Sequence, residues 1–472
     1  MKGILAYGAY IPFHRLKKKT IAEAYGEKAV PGEKAVANFD EDSLSMGVEA
    51  SLDCLKNRDD LASQIEAVYF ATTTPSYDEK QGAVTIAAAL DLPREIRTAD
   101  IGHSLRASST ALLEALDYVS VHGKSALVIS SDCRLGGAQG MVEQMVGDGA
   151  GALLVGTGDE VIANVLATYS NSLEHVGQWR SHGESFVRNW EDRFIQTIYM
   201  ETIRKTILGL TEKSGIRPEE INKVIITGPH ARAQLSAARV LGLNQDQFVQ
   251  GLELEVGHTG TAQGPMMLIS VLEQANPRDK ILYLGYGEGC DAVLFEVTER
   301  ILQFVKPLGI KGHLEHKDDS LLYTHYLKWK GMLPLEPGRR PEPSRPSAPA
   351  MQRNYHQNLV LYGSKCTMCG TPQFPKQRVC TVCQAKDQME DYRFYGKKAR
   401  VTTYTIDYLA LSLAPPTIFA VIDFEGGGRM LTEVTDCTPG EIDIGLEVDM
   451  TFRRLYHSGG IHNYFWKAKP KR

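Results

Sequence analysis

Through roughly the first 300 residues, short and nearly continuous apolar runs alternate with stretches in which apolar positions return every three or four residues. Runs of strand length flanked by turns, with helical spacing between them, predict an α/β domain. The run over residues 3–12 predicts a first strand rather than a leader, because no basic segment precedes it and no small-residue cleavage site follows it. Beyond residue 400 the pattern shortens to alternating runs at 400–407, 417–424, 430–434, 447–453 and 463–467. Gly426-Gly427-Gly428 and Thr438-Pro439-Gly440 separate some of them, so five strands of a small, all-β OB-like barrel are predicted.

The α/β pattern repeats itself. Residues 65–70 match 221–226, and residues 124–129 match 280–285, each at an offset of 156. Between them Asp100-Ile101-Gly102-His103 matches Glu255-Val256-Gly257-His258 at an offset of 155. Three matches in one order at nearly one offset predict two copies of one α/β unit. The stretch 335–349, reading LEPGRRPEPSRPSAP, breaks the globular pattern, since proline at this density removes amide donors and favours extended backbone. It predicts a strap closing a first domain of residues 1–350, followed by a short cysteine-bearing ribbon over 351–392 and the barrel over 393–472.

With 43% hydrophobic and 23% charged residues, the chain has ordinary globular composition, and no run is long enough to span a bilayer. Net charge of −5 offers no general footprint for nucleic acid or for an anionic membrane. Cys366-Thr367-Met368-Cys369 and Cys380-Thr381-Val382-Cys383 form two CxxC pairs with ten residues between them. Each pair can bring both sulfurs to one ion, and two pairs close a tetrahedral shell, so Cys366, Cys369, Cys380 and Cys383 predict a structural zinc. Thiolate ligation without a secretion signal points to a reducing, cytoplasmic location.

Four segments then carry a resemblance. Val146-Gly147-Asp148-Gly149-Ala150-Gly151-Ala152, Gly228-Pro229-His230-Ala231-Arg232, Val256-Gly257-His258-Thr259-Gly260-Thr261 and Gly285-Tyr286-Gly287-Glu288-Gly289 occur in that order. Together they resemble the thiolase superfamily, in particular ketoacyl synthase III and the archaeal and bacterial hydroxymethylglutaryl-CoA synthases, over residues 1–350. The resemblance implies a duplicated, layered α/β fold, an acyl-CoA substrate whose CoA is part of the substrate, and a homodimer. It implies that His230 stands at the catalytic histidine and His258 at the second oxyanion-hole residue. The ribbon and barrel resemble zinc ribbon–OB proteins that accompany acyl-CoA thiolases and help cover their CoA tunnel, which admits further thiolase-pathway proteins as partners.

One departure bears on mechanism. Registering Asp100-Ile101 and Ala111-Leu112 against the family pattern places Leu105 where the family's nucleophilic cysteine stands, and a slip of one residue would place Ser104 there. Leucine cannot attack a thioester, whereas an enolate-stabilising site needs no covalent intermediate. The expectation is therefore aldol or retro-aldol chemistry on a CoA thioester, with His230 and His258 as N–H donors and His103, on the nucleophile loop, as a third candidate. The base is open; the segment Thr72-Thr73-Thr74-Pro75 holds no carboxylate, and Asp78 and Glu79 follow it. Two alternatives stay beside this one. The first is a hydroxymethylglutaryl-CoA synthase-like or ketoacyl synthase-like acyltransferase with another nucleophile. The second is a non-catalytic scaffold or nucleic-acid-binding ribbon–barrel protein, against which the barrel's 11 basic and 9 acidic residues argue.

Overall fold

The computed structural model describes residues 1–336 and 348–472, so most of the expected proline-rich strap lies outside the described residues. Packing divides the chain into two units. The first comprises Met1–Ala37, Asp42–Ala87 and Leu92–Tyr323, and the second comprises Asn38–Glu41, Ala88–Asp91 and Thr324–Arg472. The division falls after Tyr323, earlier than the boundary near residue 350 that the prolines suggest. The reason is local: the Trp329 indole N–H donates to the carbonyl of Leu413 at 3.0 Å, which ties this segment to the barrel.

In the first unit nine strands form one sheet. They are β1 (Lys2–Tyr10), β2 (Ile65–Ala71), β3 (Arg97–Ile101), β4 (Ser125–Asp132), β5 (Gly149–Thr157), β6 (Ala163–Ser172), β7 (Lys223–Ile226), β8 (Lys280–Gly287) and β9 (Gly289–Val297), in the order β7-β8-β9-β6-β1-β5-β4-β2-β3. Every residue of β4 is buried, as is all of β5 except its last; strands covered on both faces have no solvent-facing polar row, which is why the apolar residues of ALVI and ALLV read as continuous rather than alternating. The duplication is plain in the pairing. β2 runs parallel to β4 and β4 antiparallel to β5, while β7 runs parallel to β8 and β8 antiparallel to β9. The two halves meet where β1 and β6 pair antiparallel.

Two helices cross the core, α1 (Ala107–His122) and α2 (Gln263–Leu272). Ala107, Ala111 and Ala115 keep one face of α1 small, and α2 buries nearly its whole surface, including Met266, Met267 and Leu268. Among the described residues no helix is long and apolar enough to cross a membrane.

The second unit carries the ribbon strands β10 (Tyr362–Cys366), β11 (Pro372–Gln373) and β12 (Met389–Arg393). A closed barrel follows, built from β13 (Ala399–Asp407), β14 (Thr417–Phe424), β15 (Arg429–Val434), β16 (Glu447–Ser458) and β17 (Ile461–Pro470) in the order β13-β14-β15-β17-β16. The last two strands extend beyond the runs 447–453 and 463–467. Gly459 and Gly460 take positive φ angles of 57° and 83°, which suits a tight hairpin turn, so pairing continues through polar residues that show no alternation.

An unusual feature of this unit is its buried charge. Arg453, wholly buried on β16, pairs with Glu41 and with Asp436 (2.5 Å) and lies 3.7 Å from Asp40. Lys467 on β17 reaches Asp40 at 2.8 Å and Glu433 at 2.6 Å. The segment Asn38–Glu41 thus belongs to the barrel's own charge network, and the Arg454 amide donates to the Asp40 carbonyl at 2.8 Å. Arg453→Met should cost about 3–5 kcal/mol, because it strands buried carboxylates, and adding Glu41→Gln should recover part of the loss. Urea denaturation checks this; an unchanged midpoint for Arg453→Met would show that the network contributes nothing.

Candidate active site

The parallel strands of both halves end at loops that hold the candidate site residues. From the first half come Thr72–Thr74 after β2, residues 102–106 after β3 and Asp132 at the end of β4. From the second come residues 227–230 after β7 and Gly287–Glu288 between β8 and β9, joined by the turn at residues 256–261. The carboxyl ends of parallel strands are where open α/β sheets present loops to a ligand.

Asp132 draws several of these loops together. Its fully buried carboxylate accepts from the Thr72 hydroxyl (2.9 Å), the Thr73 amide (2.7 Å) and hydroxyl (2.9 Å), and the Thr74 amide (3.1 Å) and hydroxyl (3.0 Å). From the other half it accepts the Thr261 amide at 2.8 Å. Gly260 is required beside it, since a Cβ there would come within 2.2 Å of the Asp132 carboxylate and 2.7 Å of Arg134 Cδ. Arg134, nearly buried, donates to the Gln178 side chain at 2.6 Å. Burial lowers its pKa to about 10, against the opposing pull of Asp132.

The motif turns 146–152 and 256–261 lie back to back. The His258 amide donates to the Met145 carbonyl (2.8 Å) and the Gly147 amide to the His258 carbonyl (3.1 Å). A Cβ on Gly147 would fall 1.8 Å from the Val256 carbonyl oxygen, so this approach excludes any side chain. His258 itself is buried. Its Nδ1 accepts from the Gly260 amide (3.1 Å), and its Nε2–H donates to the Gly228 carbonyl (2.9 Å). Burial, reinforced by Arg134, lowers its pKa to about 4, so the ring is neutral. His230 stands two residues beyond Gly228 and caps a helix, α3 (Ala231–Val240), its Nδ1 accepting from the Ala233 amide at 3.2 Å. In the neutral ring the remaining proton is on Nε2, and burial lowers the pKa of this residue too.

The structure therefore brings His230 and His258 together but corrects the picture of two free donors. His258 spends both ring nitrogens on backbone and fixes the His230 loop, which leaves the Nε2–H of His230 as the one available donor of the pair. His103 is not brought into this pair. It is exposed, holds a left-handed φ of 67°, and makes no hydrogen bond to either histidine among the described residues.

On the same loop Leu105 is half-buried, two residues before α1. The neighbouring hydroxyls are engaged: Ser104 donates to the Glu288 carboxylate (2.5 Å), Ser108 meets the Tyr283 hydroxyl (3.2 Å) and Ser109 donates to Asp291 (2.8 Å). Cys54 and Cys290 are fully buried, and burial pushes both thiols up, Cys54 to about 12, far from a reactive thiolate. Cys133 is half-buried just after Asp132, and its amide donates to the Thr74 hydroxyl at 2.9 Å. Asp132, Arg134 and Glu288 escape sequence reasoning. The available signals were a lone carboxylate closing the strand SALVISSD and a charge inside the glycine-rich GYGEG.

A second centre lies in the ribbon. The sulfurs of Cys366, Cys369, Cys380 and Cys383 all lie within 4.8 Å of one another, with Cys366 to Cys383 at 3.6 Å and Cys369 to Cys380 at 3.5 Å. A tetrahedral zinc with bonds of about 2.3 Å has sulfur edges of about 3.8 Å, so the four cysteines fit that ion. The amides of Val382 and Cys383 both donate to Cys380 Sγ at 3.4 Å, as a metal-binding knuckle requires.

Fold and sites together define a thiolase-like α/β domain joined in one chain to a zinc ribbon and an OB-fold domain. Family models agree: the 3-oxoacyl-[acyl-carrier-protein] synthase III C-terminal model matches residues 211–296, the ChsH2 rubredoxin-like zinc ribbon matches 358–390, and the ChsH2 C-terminal OB-fold domain matches 392–453. Within that class the chain is similar to hydroxymethylglutaryl-CoA synthases. It is 28% identical over 344 residues to that of Caldivirga maquilingensis, covering 71% of this chain and 98% of the relative. It is 29% identical over 341 residues to that of Methanocaldococcus jannaschii, covering 70% and 99%. Among solved structures, a hydroxymethylglutaryl-CoA synthase complexed with CoA aligns with a TM-score of 0.62 at 18% identity, over 69% of this chain and 89% of that one. The 3-oxoacyl-[acyl-carrier-protein] synthase III of Aquifex aeolicus aligns with a TM-score of 0.54 at 20% identity, over 63% and 100%.

His258 should stay neutral, with its proton on Nε2, until the pH falls to about 4. A free histidine protonates near pH 6.5, so between these values the unfolded chain binds the extra proton. The stability contributed by His258 is then present above about pH 6.5 and lost as the pH falls toward 4. Nitrogen NMR on histidine-labelled protein reads both points, and a midpoint near 6.5 would contradict them. Purified protein should also carry about one zinc per chain, lost in a Cys366→Ser, Cys369→Ser double variant, as metal analysis will show.

Proposed function

We propose that this protein acts on a CoA thioester at a carbon–carbon bond, as an acyl-CoA enzyme of the thiolase superfamily working by aldol or retro-aldol chemistry. The similarity to hydroxymethylglutaryl-CoA synthases along nearly their whole length supports the substrate class. The observation that carries the mechanism is the loop at residues 102–106, which has Leu105 where the resemblance puts a nucleophilic sulfur. Without that sulfur no acyl-enzyme forms there, and the chemistry left to the site is stabilisation of an enolate.

In that reading the Nε2–H of His230 holds the thioester oxygen as it gains charge. His258 keeps the His230 loop in place through Gly228, and Asp132 keeps the surrounding loops at fixed spacing. A preorganised donor in a site shielded from water costs little reorganisation when charge develops, which is the source of its effect. The expected reaction breaks the C2–C3 bond of a 3-hydroxyacyl-CoA to release an aldehyde or ketone, or forms that bond in reverse. The zinc is structural, since four thiolates leave no open position for substrate.

Carbonyl release from 3-hydroxyacyl-CoA compounds, paired with intact-mass spectrometry after incubation with short acyl-CoAs, tests this. Release without an acyl adduct is expected, and His230→Ala should lower turnover by about 100-fold or more, the usual loss for an oxyanion donor. A stoichiometric adduct on Ser104 or on Cys133 would point instead to an acyltransferase.

A further inference from the structure

Breaking the C2–C3 bond needs a group that accepts the C3-hydroxyl proton and a proton that returns to C2. The two histidines supply neither. In each, Nδ1 faces a backbone amide, so the neutral ring presents N–H and no lone pair. Asp132 is occupied by the threonine loop and Thr261. Asp100 accepts the amides of Gly82 and Ala83, and Asp291 accepts Ser109 and lies 3.6 Å from Arg106. Asp78 and Glu79 are exposed.

Glu288 differs from all of these. It is half-buried on the loop between β8 and β9, and among the described residues its carboxylate takes one hydrogen bond, from Ser104 at 2.5 Å. The pair is built rather than incidental. Arg106 donates to the carbonyls of Glu288 and Asn171, each at 3.1 Å, and so clamps the loop from the nucleophile side. A Cβ on Gly287 would stand 2.5 Å from Ser104 Oγ and 2.9 Å from the Arg106 amide, so only glycine lets the loop come this close. The same loop is tied to the His230 segment, because the Tyr286 amide donates to the Thr227 hydroxyl at 2.8 Å. Ser104 is also the residue next to Leu105, at the position the resemblance places against the thioester.

We infer that Ser104 and Glu288 form the proton-transfer pair of the site, with Glu288 as general base acting through the Ser104 hydroxyl. The inference rests on the aldol reading above. Ser104 takes the C3-hydroxyl proton while giving its own to the Glu288 carboxylate. The C2–C3 bond breaks, its electron pair passes to the enolate held by His230, and C3 leaves as the aldehyde or ketone. Protonated Glu288 then returns its proton through Ser104 to C2, giving the shortened acyl-CoA. Atoms and charge balance without oxidant, reductant or water.

The test uses the full chain and two readouts: carbonyl release from 3-hydroxyacyl-CoA compounds, and deuterium incorporation at C2 of acetyl-CoA or propionyl-CoA in heavy water, read by mass spectrometry. Glu288→Gln keeps the shape and a hydrogen-bond acceptor but not the basic oxygen. It should lower both rates by about 10²–10⁴-fold, the range for a general base, with little change in KM or melting temperature. If that variant melts early, Ser104→Ala decides, and a large loss in both rates is expected from it. Wild-type activity that survives Glu288→Gln within tenfold overturns this inference and leaves the aldol reading intact. A wild type silent in both assays overturns the aldol reading and the inference with it. An acyl group trapped on Ser104 also overturns the inference, by making the serine a nucleophile.

Discussion

A single buried carboxylate organises the loops of the first unit's candidate site. Asp132 ends a wholly buried strand, and a buried carboxylate is tolerable only if its lone pairs are used. The amides and hydroxyls of Thr72–Thr74 and the amide of Thr261 meet that demand, so loops from both halves of the duplicated fold are held at hydrogen-bond distance from one group. Arg134 and the neutral His258 follow from the same centre. The Arg134 charge is held against burial by the field of the Asp132 carboxylate, and burial, reinforced by that positive charge, keeps the His258 imidazole unprotonated. The spacing of the site is thus set by satisfaction of a charge rather than by apolar packing alone.

This arrangement separates the two histidines that the motifs present as equivalents. Both have a backbone amide on Nδ1, which sets the tautomer, but only His258 has a carbonyl within reach of Nε2. One ring is held at both nitrogens by backbone, and the other is held at Nδ1 alone. Two residues drawn from motifs of similar appearance can therefore do different work, and the distinction depends on the position of the Gly228 carbonyl.

The second unit meets the cost of buried charge in another way. Arg453 and Lys467 face Asp40, Glu41, Asp436 and Glu433 inside a small barrel, where removing one partner is far more costly than the pairing is favourable. The ribbon, with strands of five, two and five residues, is too short for a large core and instead places four cysteines where one metal ion can tie its loops together. Apolar burial is supplemented in both cases by interactions of defined geometry.

The sequence by itself determined the α/β class, the duplication, the five barrel strands and the four zinc ligands, because each depends on local spacing. Strand runs of period two or of continuous apolarity and a CxxC loop place side chains through a few consecutive bonds, and a duplication repeats such local runs at one offset. It did not reveal the placement of Asp132 or Glu288, whose contacts are with partners 58 to 184 positions away along the chain. It placed the domain boundary at the prolines, whereas the packing of Trp329 against the 413 region sets it earlier. It also could not tell which imidazole nitrogen carries the proton. That choice belongs to backbone amides and carbonyls, which every residue has and only the tertiary structure aims.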